Sequence, residues 1–191
     1  MSSDYTQDQV FNATDFSHSP LAKGEYEKCI FNNCNFAESN LSGIKFVDCE
    51  FRNCNVSMTK LEDTGFVDAK FKDCKMLGLR FETCNSFGLA FSFDNCQLDH
   101  SSFFKLKLRK ITFKDCRLES VDFGQCDLTS ALFDRCNLQE AMFDATILEK
   151  ADFRTSFNYS IDPENNKIKK ARFSLAGIPG LLYKYGIEIE N

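Results

Sequence analysis

Every fifth residue from Phe11 onward is large and apolar. The series runs Phe11, Phe16, Leu21, Tyr26, Phe31, Phe36, Leu41, Phe46, Phe51, Val56, Leu61, Phe66, Phe71, Met76 and Phe81. Ser86 interrupts it and Phe91 resumes it. A second run then starts two residues later, at Phe93, and continues through Leu98, Phe103 and Leu108 to Phe153. Two positions ahead of each of these centres lies a second class, mostly Cys, Ala, Ser and Thr, with some Leu, Ile and Val. A period of five matches neither the repeat of about 3.6 in a helix nor that of about 2.0 in a strand. It suits a chain that turns a corner at every fifth residue.

If four such sides close one turn, residues about 20 apart stack on neighbouring coils, about 4.8 Å apart, as in a hydrogen-bonded sheet. The sequence is consistent with this. Phe31, Phe51, Phe71 and Phe91 make one expected column, and Phe93, Phe113, Phe133, Phe153 and Phe173 another. Cys34, Cys54 and Cys74, then Cys96, Cys116 and Cys136, make matching small columns. In the second run Phe and Leu alternate, so opposite sides carry like residues. These patterns predict an all-β tube with large side chains on the axis and small ones beside them.

The grid also accounts for an unusual composition. The chain has 191 residues, with 21 Phe, ten Cys, two His and no Trp. Ten cysteines suggest a disulfide framework or a metal site. No C-x-x-C occurs, and His18 and His100 stand apart from any ligand-like cluster. All ten cysteines instead occupy the small position of the repeat, which makes them core thiols. No metal and no cofactor is expected. No Walker, G-x-S-x-G, G-x-G-x-x-G or H-E-x-x-H motif is present, and a tube filled with Phe leaves no concave site, so no catalytic residue is expected. His100 beside Asp99 reads as a solvated surface pair. The formal net charge of −5 argues against direct nucleic-acid binding. No apolar run reaches membrane-spanning length. The acidic N-terminal stretch does not read as a secretory signal, so a cytoplasmic location is expected.

Runs such as Ala151-Asp152-Phe153-Arg154 and Cys126-Asp127-Leu128-Thr129-Ser130 resemble the A(D/N)LxX signature of pentapeptide-repeat proteins. The resemblance spans roughly residues 11–173. It implies a right-handed quadrilateral β-helix, here with a short C-terminal helix. The expected division is a β-helix over 1–173, with a phase break near 84–97, and a capping or dimerisation module over 174–191.

Two departures from the grid mark candidate functional segments. The phase slips between Phe91 and Phe93, which predicts a loop including Ser86, Phe87, Gly88 and Ser92. After Phe153 the pattern weakens. Asp162-Pro163-Glu164-Asn165-Asn166 reads as a turn, followed by a last coil over Lys167 to Phe173. Pro179 and Gly186 suit the start and end of a helix. Ile178, Leu181, Leu182 and Tyr185 fall on one helical stripe. Ile187 to Glu190 alternates like a short strand. The helix could cap its own tube, or pair with a copy of itself across a two-fold axis. The chain is similar to the Qnr-type branch of the family, which implies the second: a head-to-head homodimer through Ile178, Leu181, Leu182 and Tyr185.

The charges suggest a use for the outer faces. From Asp115 to Asp152 there are nine acids, Asp115, Glu119, Asp122, Asp127, Asp134, Glu140, Asp144, Glu149 and Asp152, against Arg117, Arg135 and Lys150. Lys105, Lys107, Arg109 and Lys110 form a basic patch before them. Duplex DNA carries one charge per about 1.7 Å, and a slender acidic rod could enter a groove built for it. The Qnr-like resemblance implies the partners DNA gyrase and topoisomerase IV, and protection against fluoroquinolones or related poisons. Where enterobacterial Qnr proteins carry longer loops, this chain shows only the two-residue slip. The alternative reading is a structural or scaffolding repeat protein with an unrelated protein partner. An unbroken acidic stripe would favour the first, and acids scattered among Lys and Arg the second.

Overall fold

A computed structural model describes residues 4–190. The chain winds into a parallel β-solenoid of four-sided coils. Each side is one five-residue unit, and each coil bonds to the next in a register of 20 residues: Phe31 pairs with Phe51, and Phe46 with Phe66. Four short strands, Asp4–Gln7, Gly24–Glu27, Lys45–Val47 and Gly65–Val67, line one face. Seven line another: Val10–Asn12, Ile30–Asn32, Glu50–Arg52, Ala69–Lys72, Phe91–Asp94, Thr112–Lys114 and Leu132–Asp134. The other two faces are held by single parallel bridges, such as Asn35 to Asn55 and Ser102 to Asp122. The faces are called first to fourth here by their central residues in one coil: Phe31, Phe36, Leu41 and Phe46.

The corners explain the period. The second residue after most centres adopts a left-handed conformation, including Asp8, Lys28, Asn33, Glu38, Asp48 and Asn53, with φ near +55°. That backbone turns the chain through a corner and points its N–H at the next coil, as Lys28 N–H donates to Val47 O (2.8 Å) and Asn33 N–H to Arg52 O (2.9 Å). Asn and Asp are frequent at these corners because they tolerate the left-handed region.

The axis is filled by stacked rings. Phe11, Phe31, Phe51, Phe71, Phe93, Phe113, Phe133, Phe153 and Phe173 form one column, with successive centroids 4.6–5.5 Å apart and planes within 16° of parallel. Between faces the rings meet edge-on, as Phe103 with Phe113 (80°) and Phe123 with Phe133 (86°). Both arrangements suit the aromatic quadrupole.

Phe91 departs from the expected column. Phe71 stacks on Phe93, 22 residues on, so the two expected Phe columns are one, and the seven-stranded sheet crosses the phase break. Phe91 pairs in register with Ala69, at a small site, and its ring packs against Phe81 and Phe93 at 5.2 and 5.3 Å. Ser86 is exposed rather than central. The ring of Phe91 takes the interior space that a side chain at Ser86 leaves open.

The small site does more than fill space. Thr59 and Thr64 hydroxyls donate to the carbonyls of Phe36 (2.7 Å) and Leu41 (2.9 Å), each 23 residues earlier. Thr146 and Ser156 do the same to Phe123 and Phe133. Cys34, Cys54 and Cys74 thiols lie over Phe11, Phe31 and Phe51 carbonyls at 3.2–3.6 Å, and Cys96 reaches Phe71 across the break. All ten cysteines are free and buried. Burial pushes the Cys49, Cys84 and Cys126 thiols up to about 12, so they stay protonated and able to donate. Replacing Thr64 by Val keeps the shape and removes the donor, leaving the Leu41 carbonyl unpaired. The expected loss is about 1–3 kcal/mol in urea unfolding. Phe113→Ala opens a cavity in the ring column and is expected to cost about 3–5 kcal/mol by the same measurement.

Candidate functional site

With the interior closed by rings, the outer faces and the C-terminal end remain to act. In every unit three of five side chains point outward, and their column is fixed by the 20-residue register. The nine acids of the 115–152 stretch are therefore dispersed. Asp115, Asp134 and Asp152 lie on the first face, Glu119 and Glu140 on the second, Asp122 and Asp144 on the third, and Asp127 and Glu149 on the fourth. The structure does not gather them into one stripe.

Several are also neutralised. Arg135 grips Asp115 through two bonds, at 2.6 and 2.7 Å, and holds its carboxyl below the usual range. Arg135 also reaches Asp134 (2.9 Å). Arg154 grips Asp152 and lowers it likewise. Asp127 is buried, which opposes ionisation, but Thr129 and Arg109 (2.6 Å) outweigh that and lower it. Asp99 is buried and paired with Arg117, with Glu119 N–H donating to it at 3.1 Å. The expected solvated pair with His100 does not form.

An acid-rich side does exist, on different residues. The second face presents Asp15, Glu38, Asp99, Glu119 and Glu140 against Lys75 and Arg117. The third presents Glu62, Asp63, Glu82, Asp122, Asp144, Asp162 and Glu164 against Lys23, Lys60, Arg80 and Lys105, with Lys184 bridging Asp162 and Glu164. These adjacent faces hold the excess of negative charge, whereas on the first face acids and cations nearly balance. They also expose Met58, Met142 and Phe157, each at least half exposed. An apolar residue in an outward phase of the repeat is a signal available in the sequence; on these two faces it also marks Leu77 and Phe104, which the structure leaves only partly exposed.

At the C-terminal end, a 3-10 turn over Leu175–Gly177, an α turn over Pro179–Leu182 and a second 3-10 turn over Tyr183–Tyr185 run on from the last coil. Gly186 closes it with φ +60°. Ile187 to Glu190 forms no strand, because it finds no partner edge among the described residues. The predicted stripe is split: Leu181 is buried against the tube, Leu182 is half-buried, and Ile178 and Tyr185 are exposed. Ile161 N–H donates to Gly180 O (2.9 Å), and side chains at Gly177 or Gly180 would collide with Tyr159. Lys184 bridges Asp162 (2.7 Å) and Glu164 (2.6 Å), and Tyr185 donates to Glu164 (2.8 Å). The segment thus caps its own tube, yet Leu175, Ile178, Tyr183, Ile187 and Ile189 remain exposed on it.

The predicted loop is present. Phe87 is 87% exposed, Phe87 N–H donates to Asn85 Oδ1 (2.9 Å), and Gly88 lies over Val67 with φ +68°. Ser92 belongs to the strand Phe91–Asp94, not to the loop.

The sequence signature of the family described as "Pentapeptide repeat region" matches residues 24–92 and 89–160. The chain belongs to the pentapeptide-repeat family. Among solved structures, this pentapeptide-repeat protein is similar to a trypsin-treated form of QnrB1, a plasmid-mediated fluoroquinolone resistance protein. The two share 15% identity over 98% of this chain and 100% of that one, with a TM-score of 0.62. It is also similar to HetL, a pentapeptide-repeat protein involved in heterocyst differentiation regulation in the cyanobacterium Nostoc sp. strain PCC 7120. There the identity is 14% over 90% of this chain and 86% of that one, with a TM-score of 0.50. At these identities the likeness is one of fold. No curated protein matches the chain by sequence. No helix among the described residues is long and apolar enough to cross a membrane.

The cap makes two predictions. Gly180→Ala is expected to undock the last segment, raising hydrogen exchange across residues 175–185 while leaving the coils protected. Lys184 holds the Asp162 and Glu164 carboxyls below their ordinary values. Their contribution is therefore present above the unfolded carboxylate range, near about 4, and is lost as pH falls through the lowered folded values. Exchange at 175–185 should rise in that acid window, and Lys184→Met should bring that higher exchange to neutral pH and flatten the acid response.

Proposed function

We propose that this pentapeptide-repeat protein is a non-catalytic rod that docks as a head-to-head dimer into a basic groove of a protein partner, and that the partner is a type II topoisomerase. The observation that carries the reading is the excess of carboxylates on the second and third faces, twelve against seven cations once Lys184, which bridges Asp162 and Glu164, is counted. Duplex DNA carries about one charge per 1.7 Å, or about 20 over a rod of about 34 Å. The net charge of the acid-rich side is about a quarter of that density. Charge at this level steers the approach, and shape together with Met58, Met142 and Phe157 supplies the contact, as Met and aromatic residues do in protein interfaces. The exposed Leu175, Ile178 and Tyr183 at the capped end support the dimer. The fluoroquinolone-resistance role named for QnrB1 supports the choice of partner.

The second reading is a repeat scaffold for an unrelated protein. It is favoured by the dispersal of the 115–152 acids, of which only Glu119, Asp122, Glu140 and Asp144 lie on the acid-rich side. The deciding experiment is direct binding to DNA gyrase and topoisomerase IV, with supercoiling and decatenation in ciprofloxacin. Binding and rescue are expected, and Glu119→Lys with Glu140→Lys is expected to weaken both about tenfold. Absence of binding to either enzyme at any concentration sinks the topoisomerase reading. Leu175→Glu with Tyr183→Glu is expected to convert the dimer to a monomer in light scattering; a monomeric wild type refutes the dimer.

A further inference from the structure

We propose that the fourth face is a second self-association surface, on which two copies pack side by side and antiparallel about a two-fold axis at the level of the 84–91 insertion. The face has four coil levels before the insertion, centred on Thr6, Tyr26, Phe46 and Phe66, and four after it, centred on Leu108, Leu128, Leu148 and Ile168. The insertion is its midpoint.

The two halves carry opposite charge. Before the insertion, Asp8, Glu25, Glu27, Asp48 and Asp68 point outward against Lys28 and Lys45, and both lysines are paired, with Glu27 (3.3 Å) and Glu25 (3.2 Å). After it, Arg109 and six lysines face Asp127 and Glu149. Arg109 pairs with Asp127 (2.6 Å). The lysines at 107, 110, 150, 167, 169 and 170 have no ion-pair partner among the described residues. They are exposed or stand on the last coils, where three of them share one corner column with Asp8, Asp48 and Asp68.

At the midpoint stands Phe87, 87% exposed. Beside it the wall opens. Asn85 and Ala90 bond back to Thr64 (3.0 Å) and Phe66 (2.8 Å), but among the described residues no backbone bond joins the insertion to Lys107–Arg109 above it. The gap is a cleft of about 280 Å³ lined by Phe91, Leu108 and Ile111 together with Asp68, Lys70 and Lys110.

A two-fold axis lying in the face and perpendicular to the rod reverses the levels and keeps the lateral position. It sets Asp68 against Lys110 of the second copy, Asp8 against Lys170, and Lys45 against Asp127. Glu27 and Lys28 meet Glu149 and Lys150, satisfied on the diagonal. It also brings each Phe87 to the cleft of the other copy, an aromatic anchor at the centre of a polar frame. Parallel packing would set acid on acid. A face about 38 Å by 13 Å buries about 1,000 Å² in total, the lower end for a specific contact, so the association is weak and salt-sensitive.

The test uses the full chain with Leu175→Glu and Tyr183→Glu, which removes the end-to-end contact, in sedimentation velocity at about 50 and about 500 mM salt. Concentration-dependent dimers are expected at low salt, at least about tenfold weaker at high salt. Lys110→Glu with Lys170→Glu should give monomers, and so should Asp8→Lys with Asp68→Lys. An equimolar mixture of those two variants should restore a heterodimer, because both sets of pairs are then complementary. Phe87→Ser should weaken association without changing the salt response. A monomeric parent at low salt overturns the proposal, as it would if the basic half served an acidic macromolecule instead. So does a mixture of the two charge variants that stays monomeric. Neither result bears on topoisomerase binding, which is read separately.

Discussion

The fold depends on a left-handed corner taken once in every five residues. For an L-residue that conformation costs about 1–2 kcal/mol, and here it recurs at residues as unlike as Asp8, Met58, His100, Arg135 and Lys150. What offsets it is the direction it gives the backbone: the corner N–H bonds to the coil beyond, as Asp48 to Val67 and Asp115 to Asp134. Once the corner is fixed, two positions of each unit face inward and three face out, whatever the outer side chains are. The ring column, the small donor site and the freedom of the surface all follow from that turn.

The same geometry explains the cysteines. At the small site a carbonyl of the preceding coil points toward the interior, and the side chain placed above it is best a small donor. Thr64, Ser101, Thr146 and Ser156 fill that role with hydroxyls, and Cys34, Cys54, Cys74 and Cys96 with thiols. A thiol is the weaker donor but the better apolar filler beside Phe. Ala69, Ala131 and Ala151 show that the site tolerates having no donor. The column of six cysteines is thus a packing and hydrogen-bonding column, and its regular spacing needs no redox or metal chemistry to account for it.

The tube and its contents were legible in the sequence because the period repeats over most of the chain and each position has one physical job. The break was legible as a break, but not the path across it. Phe91 is in phase with the first run, yet the backbone leaves the grid between Asn85 and Ala90, so phase and column part company there. The cap was legible at Pro179 and Gly186, where backbone chemistry decides, and not at Leu181. A stripe of Ile178, Leu181, Leu182 and Tyr185 cannot say which side the tube will cover. The acids were least legible. Neighbours in sequence fall on successive faces, so a linear cluster such as Asp115 to Asp152 wraps around the rod, while Glu38, Glu119 and Glu140, far apart in sequence, share one face.

That dispersal bears on how such a rod can evolve a partner. Because the interior and corners are satisfied without help from the outward side chains, each face can change its charge with little effect on the fold. The faces differ accordingly: the first is laced with paired ions such as Arg135–Asp115 and Arg154–Asp152, the second and third are acid-rich, and the fourth is split into halves of opposite sign. A face of matched pairs has little charge left for a partner, since each ion is already compensated and would lose that contact on docking. Uncompensated charges and exposed apolar residues are the ones a partner can use. By that criterion the surfaces with charge or apolar area left for a partner are the side marked by Met58, Glu119, Glu140 and Phe157, the fourth face around Phe87, and the capped end around Leu175.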